Sequence, residues 1–197
     1  LEEADRADEV NLAEGIRQSE TLKQEQDQVR FATNQLAIQE LTAAASLLTP
    51  VTPKFAQLIE TYSASKLVFE NSAAEAEAGE TYEPFLPDQI AFQKEVETLV
   101  GLQPEHDQLV AAKTEIEQWQ TTESSKVDDG VKLTSLPSLL LAAQSKLATL
   151  YDTLKLQIEQ SEYLTAKGLL ADVDAHLSLY GDAQVAHAQA KESCDTA

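Results

Sequence analysis

The chain has a single cysteine, Cys194, and no methionine. One cysteine rules out an intrachain disulfide. A lone thiol fits a reducing compartment, a segment cut off before its partner cysteine, or an interchain link. The lack of an initiator Met suggests an excised segment whose leader or anchor signals lie outside it. Glycine and proline number six each, too few for a sheet protein that must turn about every ten residues. Basic residues are also scarce: 14 Lys and Arg against 34 Asp and Glu give a formal charge of -20. That balance argues against nucleic acid, whose affinity comes largely from Lys and Arg on phosphates, and against direct docking on an anionic bilayer. No uninterrupted apolar run approaches the roughly 20 residues of a membrane-spanning helix. Membrane attachment would therefore need an anchor outside this segment.

What remains is rich in Leu, Ala, Gln and Glu, all strong helix formers, and its 43% hydrophobic fraction is enough for a continuous core. An all-α fold is the expectation. Residues 1–48 read as one long helix without proline, in which Leu22, Val29, Leu36 and Ala43 repeat every seven residues and Phe31 with Ile38 widens that face. Thr49-Pro50 stops it. Three shorter helices follow between 49 and 135. The first, capped by Thr52, carries Phe55, Ile59, Tyr62 and Phe69 on a seam with Lys66 as its exception. After Gly79 and a connector, the second carries Phe92, Val96 and Leu99; the third, opened by Gln103-Pro104, carries Leu109, Ala112, Ile116 and Trp119. An Asp-Gly pair between short apolar flanks predicts a small hairpin near 126–133.

Ser135 is then expected to cap a last long helix, 136–193, with Leu136, Leu140, Ala143, Leu147, Leu150, Leu154 and Ile158 on one seam. The seam resumes at Leu170, Val173, Leu177 and Tyr180, and Gly168 and Gly181 are the expected weak points. Unbroken, this helix would run about 85 Å at about 1.5 Å per residue. Seven of the eleven aromatics and five of the six prolines lie between residues 50 and 120. The expected architecture is therefore an elongated helical bundle: two long antiparallel helices (1–48 and 136–193) carrying a head of shorter helices (49–135), in a single domain. Leu170 to Tyr180 would pack on the N-terminal helix and Leu136 to Leu154 on the aromatic head.

No catalytic, cofactor-binding or metal-binding set emerges, and neither an enzyme nor a cofactor is expected. Asp172 and His176 stand four apart on one face, with His187 further along, but no HExxH or Glu-x-x-His pair joins them and a solvated polar face explains them better. Asp128-Asp129-Gly130 lacks the alternating acids of an EF-hand and reads as turn chemistry. Trp119 sits at seam spacing and reads as core rather than as a stacking platform. Cys194, near Glu192 and Asp195, is poorly placed for a reactive thiolate. Carboxylates are so many that pairs at helical spacing arise by number alone. Asn11, Asn34 and Asn71 are followed two residues on by Ala, Leu and Ala, so none is an N-glycosylation acceptor and any carbohydrate would be O-linked.

A long helical hairpin with a small head, an acidic Ala- and Glu-rich surface and stretches such as Ala73 to Glu80 resembles the surface coat proteins of trypanosomes. Among them it is most similar to the glutamic acid/alanine-rich protein, which is related to the variant surface glycoproteins. The disulfides typical of the latter have no counterpart beside Cys194. The resemblance implies an extracellular, non-enzymatic, lipid-anchored (GPI-type) coat that shields the cell membrane. Neighbouring copies in the coat, or a homodimer, would be its partners, and the membrane would be reached only through an anchor outside the segment. In layout the chain also looks like the periplasmic helical-bundle sensor domains of chemoreceptors and histidine kinases. Small acidic ligands of such sensors are commonly held by Arg forks, and no Arg follows Arg30. A soluble coiled-coil scaffold is a third reading.

Overall fold

The longest element is α1 (Glu2–Ala45), 44 residues rich in Gln, Glu and Ala and without proline, about 66 Å at about 1.5 Å per residue. The structure is a computed structural model that describes residues 2–133 and 136–195. After α1 come α2 (Pro53–Ala78), a single 3-10 turn (Glu83–Phe85), α3 (Leu86–Val100), α4 (Gln103–Thr122), α5 (Ser124–Lys132), α6 (Ser138–Glu159) and α7 (Tyr163–Asp195). The fold is an all-α helical bundle, with no strand among the described residues. The chain divides into two compact units, Leu1–Pro104 and Glu105–Ala197.

In the first unit, α2 begins as its sequence dictates. Pro53 occupies the first turn, where its missing donor costs nothing, and Thr52 Oγ1 accepts from the Phe55 amide at 3.4 Å. The helix ends at Ala78 with Gly79 as its C-cap, as expected, but the left-handed turn falls one residue later. Glu80 takes the left-handed conformation at φ 49°, and the Thr81 amide donates to the Ala76 carbonyl at 3.0 Å, closing the helix as glycine usually does. The connector then folds inward, burying Tyr82, Phe85 and Leu86. Aromatic rings run through this core in a chain. Phe31 lies 5.0 Å from Tyr82 and 5.9 Å from Phe85, Phe85 lies 5.4 Å from Phe69, and Phe69 stacks on Phe92 at 4.2 Å. Each such pair adds about 0.5–1.5 kcal/mol beyond its burial. Between α1 and α3, fully buried Gln89 accepts from Asn34 Nδ2 at 3.2 Å and donates to the Phe31 carbonyl at 3.1 Å. That bond pins the register of the two helices.

In the second unit, Ile116 and Trp119 of α4, Val127 of α5, Leu147, Tyr151 and Leu154 of α6, and Ala166, Leu170, Val173 and Tyr180 of α7 form the core. The expected unbroken helix 136–193 is two helices. Ser161 adopts φ 60°, and the Glu162 amide donates to the Gln157 carbonyl at 2.9 Å, so α6 is capped and α7 packs back along it. The break falls at neither Gly168 nor Gly181, both of which lie inside α7. Leu136 precedes α6, whose N-cap is Pro137 without a side-chain bond; Ser135, the expected cap, lies outside the described residues. The expected hairpin at 126–133 is also corrected, because those residues form α5 and its end. Val127 and Gly130, three apart, both turn into the core, and burying that face outweighs the local turn preference of Asp-Gly. The expected head, 49–135, is divided between the two units at Pro104 and Glu105.

Candidate functional site

The residues weighed as chemistry fall into ordinary helical surroundings. His176 Nδ1 is bonded to the backbone carbonyl of Asp172 at 2.8 Å rather than paired with its carboxylate. His187 and Cys194 are exposed on α7. Asp128, Asp129 and Gly130 belong to α5. Trp119 is 7% exposed and its Nε1 donates to Asp174 Oδ1 at 2.7 Å. Among the described residues, no three of His, Cys, Asp and Glu converge as metal ligands would, and no helix is long and apolar enough to cross a membrane.

Two amides that periodicity did not single out matter more. Gln89 joins α3 to α1 through Asn34 and the Phe31 carbonyl. Gln144 of α6 is buried, and its Nε2 reaches the carbonyls of Gly130, Val131 and Leu133 at 2.8, 3.0 and 2.8 Å. These are carbonyls at the end of α5, which a helix leaves without intrahelical donors. The one signal in the sequence is the place of Gln144, four after Leu140 and three before Leu147, at the edge of the seam that Ala143 continues. Nearby, Tyr151 lies 6.2 Å from Trp119, and Lys155 Nζ sits 4.4 Å over the Tyr151 ring. Burial raises the Tyr151 phenol pKa, with the Asp128 carboxylate adding to it.

Two surfaces are candidates for recognition. The first is a groove of about 590 Å³ between α2 and α3, floored by Leu58, Tyr62, Leu99 and Leu102 and rimmed by Glu95 and Thr98. Ser65 Oγ donates to Glu95 Oε2 at 2.7 Å. The Tyr62 hydroxyl is buried without a hydrogen-bond partner. Burial raises its pKa first, and the carboxylates of Glu70 and Glu95 raise it further.

The second is the outer face of α1. Phe31 and Ile38 are 3% exposed and face the core, whereas Leu22, Val29 and Leu36 are 57%, 65% and 63% exposed. At about 100° per residue these three fall within about 40° of one another, about 140–180° away from Phe31 and Ile38. The heptad seam expected to pack α1 inside the bundle thus faces solvent; the pair thought only to widen it carries the burial. Residues 10–26 are exposed all round. Within about 60° of the line through Leu22, Val29 and Leu36, the charged groups between Gln18 and Ala43 are Glu25 and Glu40. This is a sparse face for a chain of net charge -20.

No known protein family matches the chain, and neither a characterised protein nor a solved structure is significantly similar to it.

Proposed function

We propose that this is a non-enzymatic, extracellular cell-surface coat protein that forms a dense acidic protective layer, held to the membrane by a lipid anchor outside the segment. The observation that carries this reading is where the charge lies. Among the described residues Asp27 is the single buried carboxylate. Both cores are closed mainly by aromatic, aliphatic and amide groups, and the other acids between residues 10 and 133 and between 136 and 194 are exposed or half-exposed. Copies carrying that charge repel one another at short range, which keeps a crowded layer soluble and evenly spaced. The test is labelling of intact cells with a membrane-impermeant amine-reactive biotin, followed by phosphatidylinositol-specific phospholipase C. The chain should be labelled without permeabilisation and released by the lipase. Labelling that requires permeabilisation would overturn the reading.

One observation, the groove between α2 and α3, favours a second reading as a periplasmic ligand-sensing bundle. A site of this size suits a small metabolite. A ligand bound to the native state would raise the melting temperature, so a reproducible shift across a metabolite library would favour sensing over shielding.

A further inference from the structure

We propose that the outer face of α1 joins two copies of this chain as an antiparallel helix pair centred on Val29. The inference goes beyond surface display and does not depend on it. Leu22, Val29 and Leu36 recur at seven-residue spacing, which keeps one face turned to a partner helix along its length. Each is more than half exposed and none contributes to the core beneath.

A two-fold axis at Val29 sets Val29 against its copy and Leu22 against Leu36 of the partner. The patch is therefore self-complementary, as a two-fold interface requires. A second copy is itself strongly acidic, and the sparse charge of this face permits its approach. The two acids near the face then select the direction. In the antiparallel register Glu25 meets the uncharged stretch around Ala32 and Thr33, and Glu40 meets the one around Gln18 and Ser19. Arg30 meets Gln26 and Thr33. A parallel pair would set Glu25 directly against Glu25, a like-charge contact that disfavours it. Opposed helix dipoles add to the antiparallel preference.

The two helices would overlap from Ala13 to Ala45, about 50 Å. That length brings the contact into the range of a specific but modest interface, about 600–800 Å² from each partner. On one membrane such a pair requires its two-fold axis to run along the membrane normal and α1 to lie along the surface. Pairing and surface display are accordingly tested by separate measurements.

The experiment is sedimentation velocity of the purified chain across a concentration series, with Cys194→Ser as the background. A monomer–dimer equilibrium is expected, weakened about thirtyfold or more by Val29→Glu, as loss of a central interface contact does. The same change at Leu67 or Val68, exposed on α2, should leave it unaltered. Far-ultraviolet circular dichroism confirms that each variant keeps its helices. Mild oxidation fixes the direction. Val29→Cys should cross-link to itself, and a mixture of Leu22→Cys and Leu36→Cys chains should form the mixed dimer. Three outcomes overturn the proposal: a monomer throughout the series, a dimer indifferent to Val29→Glu, or cross-links of Leu22→Cys with itself in preference to the mixed product.

Discussion

Gln144 holds α5 on α6 with one amide nitrogen, and replacing it isolates that restraint. Gln144→Leu keeps most of the volume but leaves the carbonyls of Gly130, Val131 and Leu133 without their donor. The first of these bonds is buried and the other two are partly buried. A buried carbonyl deprived of its partner costs about 1–3 kcal/mol, and a partly wetted one less. Two amide protons serve three acceptors, so the expected loss is about 2–3 kcal/mol in the second unit. For a unit of about 100 residues that lowers its melting temperature by roughly 10 °C. Hydrogen exchange gives the local readout. Amides of α5 should exchange about thirtyfold faster or more, because local opening sets their protection.

Gln144→Glu sharpens the test because it changes almost nothing but charge. An ionised carboxylate would face three carbonyl oxygens, so the folded state raises its pKa above the unfolded value of about 4.3. Below that value the protonated side chain still donates one hydrogen bond and most stability is kept. As pH rises through it, the unfolded state ionises first and stability relative to the parent falls. The deficit should therefore widen from about pH 4 to pH 7. If Gln144→Leu melts within about 1 °C of the parent and α5 exchanges at an unchanged rate, the restraint assigned to Gln144 is refuted.

Two further perturbations follow from backbone and burial. Ser161→Gly and Glu80→Gly relieve left-handed residues at φ 60° and 49°. Each should stabilise by about 0.5–1 kcal/mol, the strain relieved less the added freedom of the unfolded chain; a lower urea midpoint for either would contradict the turn geometry. Tyr62→Phe removes a buried hydroxyl without a partner and should stabilise the first unit by about 1 kcal/mol. Because the Tyr62 pKa is raised, stability present below about pH 10 declines above it, where the unfolded state ionises first. Alkaline urea titrations should show the variant gaining further on the parent there, and an unchanged gap would count against the burial of that hydroxyl.

Much of the architecture was written locally. The first helix and the Thr52-Pro53 start are decided by residues that leave few alternatives: a run of helix formers, then a stop and a cap. The aromatic core between residues 50 and 100 was legible because its rings recur at helical spacing. The α6–α7 break and the helical course of residues 126–132 share a cause. At Gln160-Ser161-Glu162 no glycine or proline marks the break, because the α6–α7 contact holds serine in a conformation it does not choose by itself. At Asp129-Gly130 the local turn signal was genuine, but Val127 and Gly130 had a core to enter. A carbon added at Gly130 would come 3.2 Å from Tyr180 Cε1, so this glycine serves close approach to α7 rather than a turn. Both outcomes were set by contacts distant in sequence.

The seam on α1 shows a different limit. Periodicity says that a helix has an apolar face; it does not say toward what. Leu22, Val29 and Leu36 keep the same seven-residue repeat as Phe31, Ile38 and Ala45 on the opposite face, and only the second set is buried. Regularity therefore does not separate the two faces; what each meets does. Phe31 enters the core between Tyr82 and Phe85 of the folded connector. A seven-residue repeat on either face suits a helix partner that tracks α1 over several turns. Within the first unit α3 spans only 15 residues and lies against the face of Phe31 and Ile38. The repeat from Leu22 to Leu36 is thus left for a helix outside the unit. A second α1 supplies one of equal length.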